Sequence, residues 1–234
     1  MLHIFTLWYG RKYSVEDVNQ LYKPIKKWYK GDFKFYCYTD KPKAKFTRGI
    51  KVLELDRTIW PQFEGCWPKI NMFKDNFAKY GEDDHVIIMD IDQEIVNDPT
   101  PLFDCDVSDN AILSLRKWWT FQTTCILDGG FYKFKANSQN HIYEKFWKDP
   151  AKWQEYYFKK GIVSIPYFGE QNFVSESAKK REQAPGYLAA RYREDRQNQL
   201  NYLYYDVCPD KDYLRMGGLW SEHVVLIHKS RFIG

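Results

Sequence analysis

The chain lacks any cysteine pattern able to staple a fold or hold a structural metal. Its five cysteines, Cys37, Cys66, Cys105, Cys125 and Cys208, are odd in number, irregularly spaced and form no Cys-x-x-Cys pair. That excludes a disulfide frame and a zinc knuckle, and reads as reduced intracellular thiols. No apolar run approaches the ~20 residues that cross a bilayer. The start, Met1 to Trp8, has no basic segment and no small-residue cleavage site. It reads as a first buried strand and not as a signal peptide. The expected compartment is therefore cytoplasmic, with peripheral contact to a membrane left open. There is no internal repeat, low-complexity tract or flexible linker. Nor is there a dense basic stripe: the net charge is +4 over 234 residues. Lys41 to Lys45 and the cluster Lys179, Lys180 and Arg181 read as solvated faces, so nucleic acid is not an expected partner. The mildly basic balance suits a small anionic ligand such as a nucleoside diphosphate.

What is present is a foldable, aromatic-rich chain. Charged residues are 28% and aromatic residues 18%, with nine Trp and eighteen Tyr. Most of those rings should pack a core, and the rest offer flat surfaces to sugars or bases. Residues 2–8 form a short apolar run suited to a central strand. Ser14 followed by Asp17 resembles a capping box, and apolar residues from Val15 to Tyr29 then recur at helical spacing. Pro24 should kink or split that helix, and Gly31 can end it. Residues 33–38 and 50–55 read as strands. Pro68 and Gly81 bracket an expected helix over 68–80. Val86 to Ile91 reads as a strand buried on both faces, as in a parallel sheet. Further strands are expected at 111–115, 130–134 and 223–228. Helices are expected over 138–160, interrupted near Pro150, and over 170–178. The polar stretch 179–201 reads as a lid, a surface helix or an insertion. Strands alternating with helices argue for an α/β domain with a mainly parallel central sheet flanked by helices.

The most informative stretch is Val86-Ile-Ile-Met-Asp90-Ile-Asp92. Residues i and i+2 of an extended strand point to one side, so the two acids can converge where the apolar run stops. In open α/β sheets ligands bind at the carboxyl ends of such strands. Two close carboxylates repel unless a cation compensates. Mn²⁺ or Mg²⁺ fits, since hard cations take oxygen ligands and share their sites with phosphates. The plain alternative is an Asp-x-Asp that only turns the chain.

With its surroundings, this stretch resembles the GT-A glycosyltransferases, above all the glycogenin-like family 8 group and its bacterial and viral relatives. Their pattern is an apolar strand, Asp-x-Asp, a short strand and a segment ending Pro-Leu-Phe, here Val86 to Phe103. Upstream, Trp67-Pro68-Lys69 matches their Trp-x-Lys. Downstream, Asp128-Gly129-Gly130 stands where they carry Asn-Ser-Gly or Asn-Ala-Gly. Gly169-Glu170-Gln171-Asn172 stands for Gly-Asp-Gln-Asp, and His228-Lys229 for His-Gly. The resemblance covers residues 2–234. It implies one GT-A domain over 1–234, with a nucleotide-binding part at about 1–105 and an acceptor-side part at about 106–234.

What the resemblance implies for the site follows residue by residue. Asp90, Asp92 and His228 would hold the metal. Thr6, Trp8 and Tyr9 follow the first strand, where relatives seat base and ribose; for Trp8 stacking on a base and core packing both stand. Asp40 would bond the base or ribose, or simply close a turn before Pro42. Lys69, in the first turn of its helix, suits a phosphate, since helix N-termini and lysines both attract anions; a surface lysine is the rival. Gly129 and Gly130 allow close backbone approach to a ligand, or make a turn. Asp128 would bond a sugar hydroxyl. Glu170 and Gln171 open a short helix, and with Asp128 they are the candidate catalytic residues. The implied reaction moves a hexose from a nucleoside-diphosphate sugar, UDP by family habit, to a glycan or other hydroxyl acceptor with retention. The rivals are a sugar nucleotidyltransferase and a non-catalytic sugar-nucleotide-binding module. The first usually has a Gly-rich phosphate loop after its first strand, where this chain has Leu7-Trp8-Tyr9-Gly10-Arg11.

Overall fold

The structure is a computed structural model that describes residues 1–58, 65–116, 127–185, 188–194, 200–204 and 225–229, with backbone alone for 116, 190–194, 200–204 and 227–229. The elements run β1 (Leu2–Trp8), α1 (Val15–Trp28), β2 (Phe33–Thr39), β3 (Ile50–Glu54), a 3-10 helix (Trp67–Phe73), β4 (His85–Met89) and β5 (Gln93–Ile95). There follow α2 (Thr100–Phe103), β6 (Ala111–Arg116), β7 (Leu127–Lys135), α3 (Asn140–Trp147), α4 (Pro150–Lys159) and α5 (Glu170–Ser177). The last described elements are β8 (Lys180–Gln183), β9 (Ala189–Glu194), β10 (Leu200–Tyr204) and β11 (Leu226–Lys229).

A seven-stranded sheet in the order β3-β2-β1-β4-β7-β6-β8 carries the fold. From β3 to β4 every pairing is parallel. β7 then runs antiparallel to β4, and β6 antiparallel to β7. A second sheet of four strands, β10-β9-β11-β5, takes up the segment that leaves β4. The result is an α/β domain whose first half is parallel, as the sequence leads one to expect. Val86, Ile87, Ile88 and Met89 are all buried, which is the signature of a strand covered on both faces.

α1 shows how propensity yields to packing. Asp17 accepts from the Ser14 backbone N–H and hydroxyl, both at 2.8 Å, so the expected capping box forms. The helix then runs unbroken through Pro24. Its buried face, Val18, Leu21, Tyr22 and Ile25, holds it on the sheet and outweighs the lost backbone bond. The helix stops at Trp28, three residues before Gly31.

Two expectations need correction. The helix over 68–80 is a 3-10 helix that ends at Phe73. All seven of its side chains are buried. Beyond it the Asp75 and Asn76 N–H groups donate to Asn140 and Asn137 side chains, at 3.0 and 2.8 Å. Asn76 takes a left-handed φ of 52°, which no helix continues. The described residues of the polar stretch 179–201 form strands in place of a lid or a surface helix: β8 and β9 lie within it, β8 on the edge beside β6 and β9 in the second sheet. Polar side chains suit an edge strand, and alternation over four residues is too short to read.

At the amino edge, His3 and Asp84 form a buried pair at 2.8 Å, with the Gly81 N–H also donating to Asp84 at 2.7 Å. Burial alone would raise the Asp84 carboxyl, but the Gly81 N–H, the Met1 ammonium 3.1 Å away and His3 together outweigh it and hold the group well below the usual carboxylate range. A depressed carboxyl stabilises the fold above its unfolded pKa of about 3.9 and stops doing so as pH falls through its folded value. Urea unfolding at pH 7 and pH 3 should therefore show a loss of stability in acid. Asp84→Ala should cost about 1–3 kcal/mol at pH 7 and flatten that acid dependence.

Candidate active site

The parallel strands β1, β2 and β4 end on one edge, at Trp8, Thr39 and Met89. β7 begins on the same edge because it runs the other way: Phe131 pairs with Met89, and the Asp90 N–H donates to the Gly130 carbonyl at 2.9 Å. The edge thus collects Asp90 and Asp92 from β4, Asp128 to Gly130 from β7, and Tyr9 and Asp40 from β1 and β2. α5 lies against β7 and brings Glu170 and Gln171.

Asp90 and Asp92 are not on extended strand. β4 stops at Met89, and the Gln93 N–H donates back to the Asp90 carbonyl at 3.3 Å, closing a turn. The same-side argument from strand geometry therefore does not apply. The chain turns here because β5 must leave the large sheet to pair with β11 in the small one. The acids still share one locality, since both charges bear on the Tyr13 hydroxyl. Tyr13 donates to Asp92 at 2.9 Å. Burial and these two acids push its own ionisation far above the ordinary tyrosine range.

The centre of the site is Lys69. Its side chain is 2% exposed, and its ammonium donates to Asp90 at 2.6 Å and to the Gly129 carbonyl at 2.7 Å. Glu170 stands 3.7 Å away on the other side. Burial alone would strip the proton from Lys69, yet the combined fields of Asp90 and Glu170 win and hold it protonated. Lys69 is thus committed to protein groups and does not project toward solvent. Glu170 is 5% exposed in its side chain, and burial raises its carboxyl to about 7 against the pull of Lys69.

The remaining predicted residues take the following places. Gln171 Oε1 accepts from the Gly129 N–H at 3.3 Å. A Cβ at Gly129 would lie 2.9 Å from the Gln171 Cβ, so glycine is required there by the close approach of α5. Gly130 donates to the buried Asp128 at 2.8 Å. Thr6 lies inside the sheet, with its hydroxyl unpartnered among the described residues. Trp8 is buried; its indole N–H donates to the Tyr13 carbonyl at 2.9 Å, and Lys41 sits over its ring. Tyr9 is half-buried, its hydroxyl donates to the Gly65 carbonyl, and Arg57 lies over its ring. Asp40 accepts weakly from the Gly10 N–H at 3.5 Å, and its other oxygen has no described partner. His228 pairs through its backbone with Gln93, the residue after Asp92; its side chain lies outside the described set.

Sequence reasoning missed Tyr13, Cys66 and the Lys69–Glu170 pair. The exposed Cys66 feels Lys69, Asp90, Glu170 and Asp92 together. No spacing rule links 13 to 92 or 69 to 170, and only the fold closes those distances. A cleft of about 300 Å³ opens beside Asp92 on the α1 side, lined among others by Tyr13, Leu21, Pro24, Ile91 and Glu94.

Among the described residues no three His, Cys, Asp or Glu side chains form a ready metal cage. The donor set nonetheless fits a hard cation in kind: two carboxylates one residue apart at a strand's carboxyl end, with a histidine brought to the adjacent strand position by the sheet.

No family model matches this chain, and neither does any curated protein sequence. Solved structures do match, and they define a class of fold. The chain has the GT-A-type α/β fold seen in glycosyltransferases. The galactosyltransferase LgtC, in complex with donor and acceptor sugar analogues, superposes with a TM-score of 0.60 at 10% identity, over 98% of this chain and 87% of that one. An active-site variant of LgtC gives 0.59 at 11% identity over the same shares. The glycosyltransferase GlyE of Streptococcus pneumoniae TIGR4 gives 0.58 at 13% identity, over 81% of this chain and 47% of that one.

Two outcomes test the buried cluster. Lys69→Met leaves the buried Glu170 and the part-exposed Asp90 without their cation, which should cost about 3–5 kcal/mol. At 2–4 °C per kcal/mol for a chain of this size, the melting temperature should fall by roughly 6–20 °C. Separately, a carboxyl whose folded pKa is raised stabilises below its unfolded pKa of about 4.3 and loses that contribution as pH rises through its folded value. Metal-free protein should therefore lose urea resistance between about pH 4.5 and 7, and Glu170→Gln should flatten that slope.

Proposed function

We propose that the chain is a metal-dependent glycosyltransferase that moves a hexose from a nucleoside-diphosphate sugar to an acceptor hydroxyl. The observation that carries this reading is the acid turn Asp90–Asp92 at the carboxyl edge of β4, facing Lys69 and Glu170, in a fold shared with a galactosyltransferase. Asp90 and Asp92 with His228 would hold Mn²⁺ or Mg²⁺. A bound divalent ion would neutralise the charge that develops on the departing diphosphate.

The chain's own residues supply the rest. Lys69 fixes the Asp90 carboxylate in one orientation from beneath, and Tyr13 does the same for Asp92. Both acids are thereby held before any ligand arrives, which lowers the ordering cost of binding. Tyr9, Asp40 and the end of β1 would seat the base and ribose. Glu170, Gln171 and Asp128 lie where α5 meets β7, on the acceptor side. In this reading the donor is a UDP-sugar, the configuration is retained and the acceptor is a glycan or another hydroxyl compound.

Calorimetric titration with UDP tests the reading, with and without Mn²⁺, beside a panel of nucleotide sugars assayed for hydrolysis and transfer. Binding should need the metal, and at least one donor should turn over. Asp92→Ala should abolish metal-dependent UDP binding and lower turnover at least about a hundredfold. Normal turnover by that variant rules out the metal assignment. Metal-dependent binding with no donor consumed would instead favour a non-catalytic module, the reading that Asn172 in place of an acid keeps open.

A further inference from the structure

The described residues expose four large apolar side chains: Met1, Phe158, Ile165 and Phe168. Three of them belong to one stretch that the fold gathers. After α4 the chain doubles back, and the Ile162 and Val163 N–H groups both donate to the Tyr157 carbonyl, at 2.9 and 3.3 Å. Gly169, with a left-handed φ of 118°, lies against the Tyr157 ring so closely that a Cβ would stand 2.6–2.8 Å from it. Phe158, just after Tyr157, and Phe168, just before Gly169, therefore flank a single contact. Ile165 joins them through a turn, its carbonyl accepting from the Phe168 N–H at 3.3 Å. Their exposures are 42%, 49% and 50%. Single exposed apolar residues are ordinary, whereas three within one folded-back stretch mark a surface that meets something.

The loop is held in this shape. The Trp67 indole N–H donates to the Tyr167 carbonyl at 2.7 Å, and Tyr167 has a φ of 64° that a large side chain adopts only when its surroundings enforce it. Exposed lysines run along α4 and its two ends: Lys148, Lys152, Lys159 and Lys160. The two exposed acids among them are both engaged. Asp149 caps α4 by accepting from the Lys152 N–H, and Glu155 pairs with Lys159. Among the described residues no carboxylate pairs with Lys148, Lys152 or Lys160. The ammonium groups of Lys152 and Lys160 lie over the rings of Trp153 and Tyr156, at 4.9 and 6.0 Å from the ring centroids, so aromatic surface and positive charge are presented together.

We propose that this face, α4 with the loop 161–169, docks on an anionic lipid bilayer surface. Phe158, Ile165 and Phe168 enter the headgroup layer while the lysines meet lipid phosphates. Aromatic and aliphatic tips ringed by lysine are the side-chain set that lies in a membrane interface. A stable protein partner needs about 20–30 residues a side, far more than one loop supplies. The inference is independent of the transferase reading, because vesicle binding and metal-dependent UDP binding fail separately.

The test is co-sedimentation of the purified chain with phosphatidylcholine vesicles and with mixed phosphatidylcholine–phosphatidylglycerol vesicles. Pelleting should be at least roughly tenfold stronger on the anionic vesicles and should weaken with salt. The triple variant Phe158→Ser, Ile165→Ser, Phe168→Ser should lose it, and so should Lys152→Glu with Lys160→Glu, with circular dichroism and melting temperature unchanged. If the triple variant misfolds, the lysine pair carries the test. No pelleting, equal pelleting on neutral vesicles, or pelleting untouched by folded variants overturns the proposal. So does concentration-dependent self-association that the triple variant abolishes, which would make a second copy the occupant.

Discussion

A single ammonium group, that of Lys69, ties together the part of the molecule where chemistry is proposed. It is removed from water and held by Asp90, the Gly129 carbonyl and Glu170. Those partners belong to the end of β4, the start of β7 and the start of α5. A buried cation is costly unless its neighbours compensate in full, and here two carboxylates and a carbonyl do so. The same arrangement orients Asp90 and accounts for the closeness of α5 to β7 that makes Gly129 obligatory. Lys69 thus acts on the site through other residues.

The acid turn owes its position to a joint between two sheets. β4 is the last parallel strand of the large sheet, and β7 beside it runs antiparallel. The chain cannot continue straight past Met89, because β5 must reach β11 in the second sheet. Asp90–Asp92 is the bend that makes this transfer. Carboxylates suit such a bend: it lies at the rim where water, a cation or protein donors can solvate them, and Tyr13 supplies one such donor to Asp92. The pairing of β5 with β11 also explains how residue 228 arrives beside residue 93 from the far end of the chain.

The shared fold with LgtC at 10% identity shows how little sequence the architecture demands. Buried strands need only apolar side chains of suitable volume, and α1 needs only its apolar stripe. The elements legible in advance, β1, α1, β2, β3, β4, β6, β7, the pair α3–α4, α5 and β11, are those whose apolar runs, helical spacing or turn-flanked boundaries show within a short window. The 3-10 helix was misread because its residues are buried on every side and carry no stripe. β8 and β9 were missed because one is short and polar and both are recruited by neighbours far away in the chain.

What the sequence by itself determined is local. A run of aliphatic residues ending in two acids, a capping box, a proline in a first turn and a shortage of long apolar segments follow from side-chain chemistry and short-range geometry. They led to an α/β domain with its ligands at the carboxyl edge of the strands. The tertiary structure alone decided who meets whom: that Lys69 is spent on Asp90 and Glu170, that Tyr13 braces Asp92, and that Gly169 lets a loop fold onto Tyr157. These contacts join residues 12 to 101 positions apart, through sheet order and helix packing. No local pattern encodes such closures, because they depend on the whole core settling into one arrangement.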